Sequence, residues 1–349
     1  MENVKFSIVI AVYNASQTVS QAVASVLQQT YAGFEIILIN DGSQDTSGDV
    51  CRKLQSLDNR IRYIEFSHNS GLSQVRNHGI LAAKGEYIGF LDADDTLEPD
   101  ALTVFYDRLE KHPVDILVFG FFEEYKSENR KRPICVCKLP GEGFYYGRDE
   151  ISDTVIGMIQ TSSFCYAWNK LYKKKFLIDK NVFYSKYPYM EDIVMNLSAF
   201  ERCSSVILVD VPLYHYNRFV QFSLTTRFEA DFLSLHQLLM DKEIAYFSNI
   251  NRLKQAMPVL TCQYLKLVFT ALQMTFYKEA PNGIINGLVK NIYQYPHHRL
   301  FMSFVHQLPV NYKLLGWVLY SQSPVIIRVT SYFIYILKHK LIRLWCAVK

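Results

Sequence analysis

The chain has 349 residues, of which 50% are hydrophobic and 20% are charged, and its net charge is +4. This composition suits a folded protein with a full core and excludes a disordered chain. Of the seven cysteines, Cys135 and Cys137 form a C-x-C pair with no second pair to complete a zinc site. We therefore expect free thiols in a reducing compartment. The first apolar segment is short and ends at Tyr13–Asn14, unlike a signal peptide, so we expect a cytoplasmic protein.

The first hundred residues alternate apolar strand patterns with helical patterns. Strands are predicted at residues 5–14, 34–40, 61–66 and 86–91, and helices at 16–30 behind a Ser16 cap, up to about Leu57, and at 73–84. This alternation predicts βαβ units and a mixed, mostly parallel sheet of the α/β class. Ligands of such sheets bind at the carboxyl ends of the strands. The residues Asn14, Asp41, Asn69 and Asp92 fall at or just past those ends.

The pattern changes after about Ala101. Another strand is predicted at 114–125, followed by a polar crossover at 126–143 and a region rich in Tyr and Phe. Beyond Phe228 the chain reads as mainly helical. We predict three parts, at residues 1–105, 106–225 and 226–349, of which the last is helical.

The stretch "YIGFLDADDTLEP" places Asp92, Asp94 and Asp95 directly after a predicted buried strand. One interpretation is a helix start, with Asp95 as the cap and Glu98 and Pro99 in the first turn. That interpretation leaves Asp92 and Asp94 without a partner. A divalent cation would supply one, because carboxylate oxygens are its preferred ligands.

Two further motifs have both a structural and a functional interpretation. In "NDGSQD", Asp41 either caps the next helix or accepts a hydrogen bond from a nucleobase or ribose. In "MEDIVMNL", Glu191 and Asp192 either favour a helix N-terminus or, for Asp192, remove a proton from an acceptor hydroxyl. The glycine-rich phosphate loops of P-loop and dinucleotide-binding proteins are absent from the sequence, so a bound diphosphate needs a metal and a basic group such as Arg76.

Six segments occur here in the order found in glycosyltransferase family 2, and residues 4–225 resemble that family. They are "SIVIAVYN", "ILINDGSQDTS", "NSGLSQVRNHGI", "GEYIGFLDADDTLEP", "WNKLYKKKFL" and "MEDIVMNLSAF". The resemblance implies a GT-A (Rossmann-like) fold and an inverting transferase. It implies that residues 1–105 are the nucleotide-sugar-binding half of that fold and residues 106–225 its acceptor-binding and catalytic half. It also implies nucleotide-sugar contacts from Ala11, Tyr13, Asp41, Arg76 and Asp92. Asp94 of the D-x-D motif is then the ligand of Mn²⁺ or Mg²⁺.

The resemblance further implies that Asp192 is the general base. Trp168 either shapes the sugar and acceptor site or is a core aromatic, and Glu191 is assigned to that site only weakly. The family usually has Pro where this chain has Ala11, and often a polar residue where it has Phe222. The roles of His215, Arg218 and Ser223 therefore stay open, with a buried structural histidine favoured for His215.

The C-terminal tail is basic and apolar. No Asp or Glu follows Glu279, whereas eight basic residues do: Lys290, Arg299, Lys313, Arg328, Lys338, Lys340, Arg343 and Lys349. So many large aliphatic side chains favour an anionic membrane surface over nucleic acid as the partner. The segment "PVIIRVTSYFIYIL" is too short, and interrupted by Arg328, to predict a spanning helix. The alternative is a helical layer packed on the core.

These observations predict a metal-dependent inverting glycosyltransferase that moves a hexose-type sugar from a UDP-sugar to a glycan hydroxyl. The tail favours a polyprenyl-diphosphate-linked acceptor at the inner face of the cell membrane, as in capsule, exopolysaccharide or O-antigen synthesis. Two alternatives stay open: a nucleotide- or glycan-binding subunit of a synthase complex, and a sugar nucleotidyltransferase. The latter needs a glycine-rich N-terminal loop, and "AVYNASQ" contains no glycine.

Overall fold

The computed structural model describes residues 4–126, 135–187, 190–219, 232–277 and 282–339. Two compact units make up the chain, residues 1–223 and 224–349. The predicted division between 225 and 226 lies outside the described residues and stays a prediction.

The first four strands form the parallel half of a sheet in the order β3-β2-β1-β4. Their bounds are β1 Phe6–Val12, β2 Phe34–Asn40, β3 Ile61–Glu65 and β4 Tyr87–Asp92. Every residue of β2 is buried, which is typical of a parallel strand covered on both faces. The connecting helices are α1 Val19–Leu27, α2 Ser47–Leu57 and α3 Leu72–Ala82. This half of the sheet is as the sequence predicted.

One predicted detail of the first helix is wrong. Helix α1 begins at Val19 with Thr18 at its N-cap, and no side chain caps it. Ser16 lies before the helix, where its backbone N–H donates to an Asp45 carboxylate oxygen at 3.2 Å. The segment between β1 and α1 is therefore hydrogen-bonded to the loop after β2, and the helix begins only at Val19.

The second half of the sheet is mixed. Among the described residues, each antiparallel strand pair includes at least one strand of this half. Strand β9 (Lys170–Lys173) lies antiparallel between β4 and β6 (Ile116–Lys126), and β10 (Ser205–Phe219) runs parallel to β6. The edges carry β5 Thr96–Leu97, β7 Cys135–Cys137 and β8 Gly143–Tyr146. The helices of this half are α4 Ala101–Lys111, α5 Gly147–Gln160, α6 Lys174–Asp179 and α7 Glu191–Arg202. The predicted division at 105/106 falls within α4 and stays a prediction.

The second unit is helical in its described parts, as the sequence predicted. Its helices are α8 Phe232–Asn249, α9 Leu253–Tyr277, α10 Asn282–Gln294, α11 His298–Ser303, α12 Val310–Tyr320 and α13 Pro324–His339. The long helix α9 packs against each of the others, and the Tyr264 ring stacks on Phe301 with 4.6 Å between centroids. Within the described ranges of the chain, no helix combines the length and apolarity needed to cross a membrane.

Candidate active site

The register of the parallel strands gathers polar groups at one edge of the sheet. Ala11 pairs with Ile39 on β2 and with Asp92 on β4. The Asp41 N–H donates to the Val12 carbonyl at 2.8 Å. Tyr13, directly after β1, is 48% exposed. The predicted nucleotide-contacting residues of these three strands therefore lie together.

Asp41 holds the loop that precedes α3. Its two carboxylate oxygens accept hydrogen bonds from the Ser70 and Gly71 N–H groups at 2.7 and 2.9 Å, and the residue is 4% exposed. Gly42 has a φ of +65°, and a Cβ there would lie 2.6 Å from the His68 backbone. An ionised carboxylate has further lone pairs, so a contact of Asp41 with a nucleobase stays a prediction beside this structural role.

Arg76 is the centre of the site. Its guanidinium donates through Nη1 to Asp192 Oδ1 and through Nη2 to Asp92 Oδ1, the latter at 3.0 Å. The side chain is only 2% exposed and lies over the rings of Phe90 and Tyr184 at 5.4 and 5.5 Å. One buried cation therefore joins the predicted base to the first acid of the D-x-D motif.

Burial and charge act in opposite directions on this cluster. Burial works to lower the pKa of Arg76, but the charges of Asp192 and Asp92 and the nearby Tyr184 raise that pKa well above its ordinary value. Burial raises the pKa of Asp92 to about 6, which Arg76 opposes and Asp192 and Asp94 reinforce. Arg76 thus remains a cation, and its charge opposes the effect of burial on the pKa of Asp92.

Asp95 is not a helix cap, contrary to the first interpretation of the acid cluster. Helix α4 begins six residues later with Asp100 at its N-cap. Asp95 is 1% exposed and accepts hydrogen bonds from the Asn217 N–H and the Tyr214 hydroxyl, each at 2.7 Å. Burial, with repulsion from the neighbouring acids, raises the pKa of Asp95 to about 9. Asp95, directly after the D-x-D motif, therefore anchors this loop to β10.

The remaining two acids, Asp92 and Asp94, are the predicted ligands of a divalent metal. Asp94 is exposed, Asp92 is partly exposed, and the Asp94 carbonyl accepts from the Asn217 side chain at 2.7 Å. Among the described residues, no three acidic, His or Cys side chains are grouped as a metal site. Two carboxylates with substrate phosphates are a usual donor set for Mg²⁺. The donor set of Asp92 and Asp94 is therefore compatible with Mn²⁺ or Mg²⁺, and the metal site stays a prediction.

Asp192 lies in the first turn of α7, directly after Glu191. Met190, at the N-cap, has a φ of +55°, a left-handed conformation that is costly for a residue with a Cβ. The second carboxylate oxygen of Asp192 accepts the Ala167 N–H at 3.2 Å, and the side chain is 17% exposed. Arg76 and a backbone amide thus fix both oxygens of the predicted base.

Trp168 is a core aromatic in the described structure. It is 3% exposed and stacks between Tyr214 at 4.2 Å and Tyr166 at 4.4 Å. Tyr166 and Tyr216 are only partly buried, and Tyr216 lies 5.2 Å from the Trp168 ring. Burial therefore favours the second of the two interpretations of Trp168, and its neighbours present the partly exposed rings.

His215 is not fully buried, in contrast to the favoured expectation. Its ring nitrogens lie 2.6 Å from carboxylate oxygens of Glu98 and Glu124, and its side chain is 23% exposed. The ring stacks on Phe122 at 4.8 Å. The Arg218 side chain and Ser223 lie outside the described part of the chain. The histidine thus ties the segment after β5 to β6.

The sequence comparisons identify the family that this chain resembles. Residues 7–178 match the family model described as "Glycosyl transferase family 2". The chain is 30% identical over 217 residues to "Glycosyltransferase GlyA" of Streptococcus pneumoniae and 33% identical over 211 residues to "Uncharacterized glycosyltransferase EpsJ" of Bacillus subtilis. The alignments cover 61% and 60% of this chain but 30% and 60% of those relatives. The chain thus spans less than two thirds of either relative.

Solved structures agree on the fold. Residues 1–349 of S. aureus TarS superpose with a TM-score of 0.66 at 16% identity, covering 94% of this chain and 90% of that one. The same TarS fragment in complex with UDP gives the same values, and its complex with UDP-GlcNAc gives a TM-score of 0.60 at 15% identity over 85% and 88% of the two chains. The expected GT-A fold, with a central sheet flanked by helices and a helical C-terminal region, is therefore confirmed. Residues 7–178 are thus a glycosyltransferase family 2 region of this chain.

Proposed function

We propose that the protein is an inverting glycosyltransferase that moves a sugar from a UDP-sugar to a hydroxyl of a glycan acceptor. The observation that carries this proposal is the bridge through Arg76, which holds Asp192 and Asp92 on one buried guanidinium. A protein that only bound nucleotide would need the acids at the strand ends but no second carboxylate fixed beside them. A transferase needs both.

The chemistry assigns one role to each side of this bridge. The acceptor hydroxyl attacks the anomeric carbon, its proton passes to the Asp192 carboxylate, and the bond from that carbon to the diphosphate oxygen breaks on the opposite face. Arg76 and the Ala167 N–H orient the Asp192 carboxylate before the proton arrives. The nucleoside diphosphate leaves and the anomeric configuration inverts.

Asp94 and Asp92 are the residues that would hold Mn²⁺ or Mg²⁺ with the diphosphate. Such an ion supplies positive charge to the leaving diphosphate. The protein's own part is to fix the carboxylates, and Asn217 and Asp95 do so by tying the loop to β10. A metal ion would add positive charge that Arg76 alone cannot supply, because Arg76 is already paired with two acids.

The donor and acceptor are proposed from different observations. The TarS fragment was crystallised with UDP and with UDP-GlcNAc, which supports a UDP-sugar of the hexose type as donor. For the acceptor, the partly exposed rings of Tyr166 and Tyr216 lie beside the segment that contacts Asp192. Flat aromatic faces suit the apolar faces of sugar rings. We place a glycan of a capsule, exopolysaccharide or O-antigen pathway there, and Glu191 near it.

The second unit supplies a surface for a lipid-linked acceptor. Nine large hydrophobic side chains on α12 and α13 are between 47% and 72% exposed: Val310, Leu314, Trp317, Tyr320, Val325, Ile326, Val329, Tyr332 and Phe333. We call these residues the apolar face. Lys313 and Arg328 lie on the same helices, and no acidic residue follows Glu279. Such a combination suits the anionic inner face of a cell membrane.

Vesicle binding tests this surface. We expect full-length protein to sediment with phosphatidylglycerol vesicles and to dissociate as salt is raised. The double variant W317S/V329S should bind roughly tenfold or more weakly, since a buried large apolar side chain contributes about 1.5–3 kcal/mol. Leu57→Ser is the matched control, because Leu57 is 71% exposed but lies in the first unit. Equal binding by all three proteins would contradict the assignment.

Donor cleavage tests the transferase. UDP and GDP release would be measured with a panel of UDP- and GDP-sugars, with Mn²⁺ or EDTA, and with and without extracted lipid-linked acceptor. We expect release from one donor that EDTA abolishes and that collapses in Asp192→Asn and Asp94→Ala. Asp179→Asn is the control, because Asp179 lies at the end of α6 and pairs with the exposed Lys175. Metal-dependent UDP binding without release, even with acceptor, would favour a binding subunit instead.

A further inference from the structure

A buried lysine lies beside the proposed base and has no part in the chemistry described above. Lys170, on β9, is 0% exposed. Its ammonium lies within 3.3 Å of three backbone carbonyls, those of Ser163, Phe164 and Tyr166, and 2.8 Å from the Asn169 side-chain oxygen. Burial lowers the pKa of Lys170 to about 7. A buried charge solvated only by carbonyls and an amide is costly.

These carbonyls do not need the lysine for their hydrogen bonds. The Asn196 side chain donates to the Phe164 carbonyl at 2.7 Å and to the Tyr166 carbonyl at 3.1 Å. The Asn169 side chain donates to the Ser163 carbonyl at 3.0 Å. Each carbonyl therefore keeps a donor when the ammonium is removed. Supplying a hydrogen-bond donor to these three carbonyls is therefore not the only role of the ammonium.

One peptide group connects this ammonium to the base. Lys170 binds the Tyr166 carbonyl oxygen at 2.5 Å. The N–H of the same peptide group belongs to Ala167 and donates to Asp192 Oδ2. Because the C=O and N–H of a trans peptide point in opposite directions, Lys170 and Asp192 hold its two ends. The cation also polarises the peptide and strengthens its N–H as a donor.

We propose that Lys170 is a positioning residue that fixes the carboxylate of Asp192 through the peptide group between Tyr166 and Ala167. The three carbonyl dipoles converge on one point, where they repel each other unless a cation lies between them. Removing the ammonium lets the segment 163–167 relax and turns the Ala167 N–H away from Asp192. Helix α7 is affected little, because Asn196 still joins it to the segment. This role in turnover depends on the proposed transferase activity, whereas the packing role does not.

The test compares Lys170→Met with Lys173→Met, which lies on the same strand and is 30% exposed. Amide hydrogen exchange reports on the segment without any need for turnover. In Lys170→Met we expect at least roughly tenfold faster exchange in 163–169, with the unfolding midpoint close to that of the wild type. In turnover assays we expect kcat to fall roughly 10–100-fold with the donor KM nearly unchanged, the size typical of a misplaced catalytic group. Lys173→Met should match the wild type in both.

A second variant keeps the test decisive when Lys170→Met does not fold. Lys170→Gln removes the charge but keeps two N–H donors, and we expect an intermediate increase in exchange. Unchanged exchange in a folded Lys170 variant would overturn the proposal. Faster exchange with unchanged kcat would overturn the positioning of Asp192. If the wild type itself shows no turnover, the exchange result still decides the packing role, and only the proposed function has failed.

Discussion

Replacing Arg76 by Met should destabilise the first unit far more than replacing an exposed arginine with equally many partners. Arg76 is 2% exposed and pairs with Asp192 and Asp92, whose side chains are 17% and 33% exposed. Removing one partner from a buried ionic cluster costs about 3–5 kcal/mol, because the remaining charges stay unpaired. Here two carboxylates would also face each other without the cation. For a unit of this size, the loss corresponds to a fall in melting temperature of roughly 6–20 °C.

Arg52 supplies the matched control. It also contacts two carboxylates, Asp49 and Glu65, each at 2.8 Å, but it is 51% exposed. Exposed pairs contribute about 0–1 kcal/mol, so Arg52→Met should leave the free energy of unfolding nearly unchanged. Urea unfolding of both variants, followed by circular dichroism, measures the difference. If Arg76→Met costs less than about 1 kcal/mol, or no more than Arg52→Met, water solvates the two acids and the reasoning is refuted.

Three further changes test other parts of the structure. Glu243 is 1% exposed, and burial raises its pKa from 4.5 to about 7. Between these two pH values the folded state holds the proton and the unfolded state releases it, so the free energy of unfolding falls as pH rises. Glu243→Gln should therefore be more stable than the wild type by up to about 3 kcal/mol at pH 8, and urea titrations should show this difference shrinking toward pH 5. A difference in the free energy of unfolding that does not change with pH would contradict this. Gly79→Ala should destabilise by about 1–3 kcal/mol, because its Cβ would lie 2.4 Å from Val9 Cγ1. Gly287→Ala, on α10 with nothing within 4 Å, should instead stabilise by about 0.5–1 kcal/mol; thermal melts that ranked the two glycine variants otherwise would contradict both.

The sequence predicts the parallel half of the fold well, because β1, β2 and β4 are buried apolar runs whose ends carry polar side chains. It does not predict how distant residues meet. Arg76 and Asp192 are 116 residues apart, so the sequence places Arg76 near the nucleotide but not between the two acids. The local sequence around Asp95 suits a helix cap. Its carboxylate instead accepts a hydrogen bond from the hydroxyl of Tyr214, more than a hundred residues away.

Other features leave no local signal. Met has no preference for a left-handed backbone, so the conformation of Met190 before α7 could not be predicted. Lys170 sits in "WNKLYKKKFL" among three further lysines, and nothing in that run marks it as the buried one. The sequence allows Trp168 either in the core or on a binding surface, and its stacking with Tyr214 and Tyr166 shows that it is a core residue. Register, long-range contacts and burial of a single polar group are properties of the assembled sheet.

The acid loop is anchored to β10, a strand that the ribosome makes much later than the loop itself. Asn217 is 122 residues after Asp95, so a ribosome completes the whole D-x-D motif long before the groups that hold it. At that stage β4 also lacks its neighbour β9. A nascent chain that stops before β10 carries every acid of the motif without the loop geometry that presents them. We therefore expect the proposed diphosphate site to be completed late in synthesis, when the non-local strands pair.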